Sequence, residues 1–191
     1  MCAQGNMTVA LPSTPASYFH LLRRQLTGDR PRPLVVFTPK SILRLKAAAS
    51  HPEEFTAGGF QPVIDDPDLG SREGVRRVAL CSGKVYYDLA SARRRRKVEH
   101  VALVRVEQLY PLPGEDVAAT LDRYGSVDVA WVQEEPANMG AWPHVALGLP
   151  EHLGNRTLRR ISRPASASPS AGSSTVHEAE QQALLDAVFA D

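Results

Sequence analysis

The residues best placed to do chemistry stand where an apolar run gives way to a helix-like segment. Ser82-Gly83-Lys84 is such a place. Backbone N–H groups and the helix dipole make an anion site there, and Lys84 adds charge. It is no Walker A loop, which needs a longer glycine-rich cradle, and no G-x-G-x-x-G occurs. Read alone, it is a helix start with a solvated lysine. Gln133-Glu134-Glu135-Pro136 closes another apolar run. Ligands of α/β proteins gather at the carboxyl ends of strands, and carboxylates there can move protons. Adjacent residues on a strand point opposite ways, however, so Glu134 and Glu135 are no natural dyad. Interface bonding or helix capping fits them as well.

Other polar features have plainer readings. Arg93-Arg94-Arg95-Arg96-Lys97 lies at a predicted helix C-terminus, where cations complement the dipole. A solvated helix end is the favoured reading. Trp142, in Gly140-Ala141-Trp142-Pro143, is either a core anchor or a subunit-interface residue. The histidines at 20, 51, 100, 144, 152 and 177 form no ligand pattern, so no metal site is expected. Two cysteines, Cys2 and Cys81, make neither a disulfide framework nor a zinc site. The Ser-rich stretch 162–174 reads as a surface loop.

Charge and composition exclude whole classes. Net charge is +1, with 18 Arg against 4 Lys, so no global field demands nucleic acid. No apolar run reaches the roughly 18 residues of a transmembrane helix. The first residues lack a secretory signal's basic start and apolar centre. A cytoplasmic protein with no membrane partner is expected. Residues 51–70 carry five acidic groups and no Lys or Arg, whereas residues 72–105 carry ten basic groups against three acidic.

The elements that must position these residues alternate. Met7–Leu11 reads as a strand, Ser13 or Thr14 as a helix cap, and Ala16–Leu26 as a helix ending at Gly28. Leu34-Val35-Val36-Phe37 has the continuous apolar character of a strand buried on both faces. Residues 42–49 hold one or two helical turns. Residues 50–75 look like a linker, punctuated by Gly and Pro. A second pattern follows: strand 78–81, helix 85–97, strand 101–106, helix 115–124, strand 127–132, helix near 141–149, strand 158–161 and helix 175–190. This predicts an α/β fold with a mostly parallel sheet and flanking helices.

Longer strings carry a resemblance. Asn6 to Gln25, Arg32 to Ser41, Cys81 to Leu89, Val104 to Pro111, Trp131 to Trp142, Arg163 to Pro169, and His177 with Glu180-Gln181-Gln182 resemble, in order, the thiamine-dependent first component of 2-oxoglutarate dehydrogenase. The wording is most similar to actinobacterial members, often fused 2-oxoglutarate decarboxylase/dehydrogenases. The resemblance implies the end of a pyrimidine-binding, transketolase-like domain over 1–50, a linker over 51–75, and a transketolase C-terminal-like domain over 76–191. It implies a parent reaction of oxidative decarboxylation of 2-oxoglutarate with succinyl transfer to a lipoyl group. The parent's cofactors would be thiamine diphosphate and Mg²⁺, with their ligands and the catalytic histidines upstream of these residues. None is therefore expected in this chain, and the chain alone is expected to be inactive. Gly5 stands where the family leads one to expect an acidic residue, which points to a truncated or divergent edge.

The resemblance further implies a homodimer, contacts with the rest of the dehydrogenase and with the lipoyl-bearing succinyltransferase, and acetyl-CoA as an effector. Arg32, Ser50, Ser82, Lys84 and Glu134 are the expected effector residues, and Trp142 the expected interface residue. The alternative is a stand-alone regulatory module that binds acetyl-CoA or an adenine nucleotide.

Overall fold

Thr14 shows how local chemistry sets the first helix. Its extended backbone and its hydroxyl, which accepts from Ser17 N at 3.1 Å, cap α1 (Pro15–Thr27), with Pro15 at the first helical position. Gly28 ends α1 in extended conformation. This computed structural model describes residues 2–28 and 32–190.

β1 (Thr8–Ala10) pairs in parallel with β2 (Leu34–Val36) around α1. Short 3-10 turns at Lys40–Arg44 and Lys46–Ala48 follow. The stretch 51–75 carries α2 (Glu53–Thr56) and β3 (Val63–Ile64). Then come β4 (Arg77–Cys81), α3 (Val85–Arg96), β5 (Val101–Val106), β6 (Gln108–Tyr110), α4 (Gly114–Leu121), β7 (Asp128–Pro136), α5 (Trp142–Gly148), β8 (Leu158–Arg163) and α6 (Ser174–Phe189).

Two sheets result, ordered β2-β1-β6 and β3-β5-β4-β7-β8. In the larger sheet β5, β4, β7 and β8 are parallel and β3 is antiparallel, so the mostly parallel α/β architecture holds. Its central strands β5, β4 and β7 are buried on both faces, and alternation divides their side chains. Ala79, Cys81, Leu103 and Val132 pack with α3 and α6. Leu80, Val104, Val129 and Trp131 pack with α4 and α5.

Three expectations need correction. The Leu34–Phe37 run is not buried on both faces: β2 is an edge strand, with Val35 40% and Phe37 54% exposed. Among the described residues, only β1 pairs with it. The basic run is not wholly solvated either. Arg93 is buried and forms a bidentate pair with buried Asp66, which also accepts from Leu103 N at 2.7 Å. The acidic 51–70 stretch thereby neutralises the start of the basic one. The predicted helix 115–124 closes early, its last residues Asp122–Tyr124 forming a 3-10 turn.

Candidate functional site

The connections around β4 create a crevice. From β4 the chain passes through α3 on one face to β5, and later through α4 on the other face to β7. The carboxyl ends of β4 and β7 are therefore a topological switch point, where open α/β sheets bind ligands. A cleft of about 440 Å³ opens there. Ser82, Trp131, Gln133 and Glu135 line it from the large sheet, and Leu11, Phe37 and Pro39 from the small one. The cleft is apolar with a few polar groups, the usual make-up of a small-molecule site.

Gln133 builds its floor. The side chain is almost fully buried, and its Nε2 donates to Met139 O at 2.7 Å and Pro136 O at 3.2 Å. Its Oε1 accepts from Trp131 Nε1 at 3.0 Å and from Trp142 N at 2.9 Å. One amide thus fixes the loop after β7. Gly140 completes the arrangement. It has φ +70°, and a Cβ there would meet Gln133 Nε2 at 2.9 Å. Gly83, at φ +68°, lets Leu11 approach the β4–α3 turn.

The expected effector residues divide. Ser82 lines the cleft, and its hydroxyl donates to Val106 O at 2.7 Å. Lys84 and Glu134 are brought into contact, with Asp88 Oδ2 at 3.0 Å from the same ammonium. Burial works against the Lys84 charge, but hydrogen bonds and attraction from Glu134 and Asp88 outweigh it and hold the pKa above the usual range. Glu134 projects to the opposite face from Gln133 and Glu135, and Lys84 lines a second groove of about 470 Å³ between α3 and α6. Arg95, His177 and Gln181 line it too. Ser50 Oγ accepts from Ala16 N at 3.1 Å in the first turn of α1. Arg32 lies before β2, with its guanidinium beside Gly5, at the end of the strand opposite the cleft. Trp142 is half-buried, with the Arg160 guanidinium 5.6 Å from its ring.

Glu107 is a residue that sequence reasoning passed over. It sits where the chain leaves β5 for β6 and so passes from one sheet to the other. Its backbone N donates to Pro62 O at 2.8 Å and its O accepts from Leu11 N at 2.8 Å. Its fully buried carboxylate accepts from Ser13 N and Ser17 Oγ, both at 2.7 Å. Burial pushes its pKa up. The signal available was a charged residue directly after an unbroken strand run. Cys81 is fully buried, and burial pushes its thiol up to about 12.

Residues 49–189 match the 2-oxoglutarate dehydrogenase C-terminal family, and residues 1–46 match the transketolase pyrimidine-binding domain. This chain belongs to the 2-oxoglutarate dehydrogenase C-terminal family. It is 52% identical over 195 residues to the multifunctional 2-oxoglutarate metabolism enzyme of Mycobacterium sp. (strain JLS), covering 98% of this chain and 15% of that protein. It is 50% identical over 194 residues to the enzyme of the same name from Mycolicibacterium vanbaalenii, covering 98% of this chain and 16% of that protein. The chain thus spans about a sixth of the length of these relatives. The switch-point cleft lies at the seam between the two matched regions. Among the described residues, no helix is long and apolar enough to cross a membrane.

Proposed function

We propose that this chain is the assembly and effector-binding part of a cytoplasmic, thiamine-diphosphate-dependent enzyme acting on 2-oxoglutarate. The parent reaction is oxidative decarboxylation followed by succinyl transfer to a lipoyl group. The carrying observation is where apolar surface is left open. Eight of the ten exposed large apolar side chains, among the described residues, fall between Tyr18 and Leu45, within the pyrimidine-binding match. Such a concentration marks an interaction surface. The division into 1–50, 51–75 and 76–191 belongs to this reading. So do a homodimer using Trp142 and contacts with the lipoyl-bearing succinyltransferase. Acetyl-CoA or an adenine nucleotide is the effector; of its expected residues the fold brings Lys84 and Glu134 together, while Ser82, Ser50 and Arg32 lie apart from that pair.

Thiamine diphosphate with Mg²⁺ would supply the carbanion chemistry in the parent enzyme. In this reading the residues that hold that group belong to the rest of the parent enzyme; among the described residues, no three His, Cys, Asp or Glu side chains stand close enough to hold a metal. This chain's part is to bind and to assemble. The test is thermal unfolding of the chain with acetyl-CoA, AMP, or thiamine diphosphate plus Mg²⁺. A ligand that binds only the folded state raises the midpoint by mass action. A rise with acetyl-CoA or AMP that Lys84→Ala reduces is the expected result. A rise with thiamine diphosphate alone, or release of CO₂ from 2-oxoglutarate by this chain, defeats the reading.

A further inference from the structure

Arg105 is buried yet barely bonded. Its side chain is 7% exposed, and Nη1 donates to Ser13 Oγ at 2.9 Å. The guanidinium lies 4.5 Å over the Tyr86 ring. A guanidinium carries a fork of N–H donors, but Nε here has no partner, and no carboxylate of the described residues lies within ion-pair distance. His20 is buried nearby. Its Nε2 lies 2.7 Å from Glu54 O, which can only accept, so Nε2 carries the hydrogen and Nδ1 is left unpartnered. Both side chains line an open-rimmed cavity of about 250 Å³ bordered by α1, α2 and β3.

We propose that this cavity binds a small oxyanion, a carboxylate or a phosphate, on the Arg105 guanidinium. A buried cation with unused donors is unfavourable unless something supplies acceptors. A planar two-oxygen face is the geometry the fork accepts best. The cavity exceeds several times the roughly 30 Å³ of one water. Ser17 and Thr14 add hydroxyls to the wall, and Gly58 and Gly59 form the rim. A Cβ at either glycine would meet nothing within 4 Å, so the rim stays open for entry. Glu107, a buried carboxylate linked to Arg105 through Ser13, does not take the site's place. Its Oε2 is turned to Ser13 N and Ser17 Oγ. It offsets part of the Arg105 charge through Ser13 but satisfies none of its remaining donors. Glu54 turns its carboxylate to His51 N at 2.7 Å. The cavity shares no lining residue with the switch-point cleft, so this inference stands apart from the effector reading.

The test is an NMR titration of the full chain with sodium phosphate and, separately, with sodium malonate, each against sodium chloride at equal ionic strength. Saturable shifts of the Gly58 and Gly59 amides and of the Arg105 Nε–H are expected. The salt that saturates identifies phosphate or carboxylate as the source. Arg105→Met keeps an apolar stem over Tyr86 and removes the fork, with an expected loss of about tenfold or more in affinity. Shifts no larger than those with chloride, or affinity retained in Arg105→Met, overturn the proposal. Should that variant not fold, the titration of the unaltered chain decides alone.

Discussion

Two strand runs that read alike have different surroundings. Leu34–Phe37 and Val101–Val106 are both rich in valine, with few polar breaks. β5 is buried at all six positions, between β4 and β3 and under helices on both faces. Among the described residues β2 pairs with β1 alone, and Val35 and Phe37 are exposed. The same contrast holds for helices. α3 buries Val85, Leu89 and Ala92, whereas α1 keeps Phe19, Leu22 and Leu26 exposed at helical spacing. An apolar run therefore states what a segment must pack against, not what this chain supplies. In the 76–191 region the chain supplies it. In the first 46 residues the requirement stands open at Phe19, Leu22, Leu26, Val35 and Phe37.

The largest expected effect lies where the closed region depends on a charge. Replacing Asp66 by Ala leaves buried Arg93 unpaired and Leu103 N without its acceptor. Such a break costs roughly 3–5 kcal/mol. Urea unfolding of Asp66→Ala measures it. A loss under about 1 kcal/mol would place this pair with surface ion pairs instead.

A matched pair of truncations tests the comparison directly. Leu103→Ala should cost roughly 2–5 kcal/mol, because the residue is fully buried between β4 and the helices over it. Leu26→Ala, 86% exposed, should change stability by no more than about 0.5 kcal/mol. Leu26→Ser should also reduce self-association in sedimentation. Equal losses of stability for the two truncations would remove the distinction between a closed and an open region.

Next in size is Gly140→Ala. A side chain at φ +70° must press on the Gln133 amide, which orders the loop after β7. The expected cost is about 1–3 kcal/mol. Thermal unfolding gives the cost, and altered fluorescence of Trp142 reports the loop. An unchanged midpoint would show that Gln133 shifts freely and does not fix the cleft floor.

How much of this was legible in the sequence differs between the two regions. In the large sheet β4, β5 and β7 were readable, because burial on both faces writes an apolar run; β8, an edge strand with Arg159 and Arg160 exposed, was readable from its Leu158 and Ile161 and from its place in the alternation. β3 and β6 were not. β3 has two residues, and β6 begins at Gln108 beside Glu107, so neither shows a run or an alternation. Arg93 looked like its solvated neighbours, because its partner Asp66 lies 27 positions away in the chain. Within the candidate site, Ser82 and Lys84 were readable from the strand-to-helix junction. The resemblance grouped Lys84 with Glu134, and strand alternation put Gln133 on the other side of β7; the direct contact of the two charges follows from the parallel pairing of β4 with β7.

The smallest effect concerns the link between the regions. Glu107 holds both sheets through its backbone, and its carboxylate reaches Ser13 and Ser17 at the start of α1. Burial raises its pKa above the unfolded value, although Ser13, Arg105 and Ser17 oppose the rise. The folded chain therefore keeps this proton to higher pH than the unfolded chain does. The contribution to stability is complete below the unfolded pKa and is lost as pH rises through the folded one. Glu107→Gln keeps an acceptor for Ser13 and Ser17 and cannot ionise. Stability measured against pH should lose one downward step in that variant, above the ordinary glutamate range. If the two curves stay parallel across this window, the ionised carboxylate is compensated in place by Arg105, and the open region is held to the closed one with no dependence on this proton.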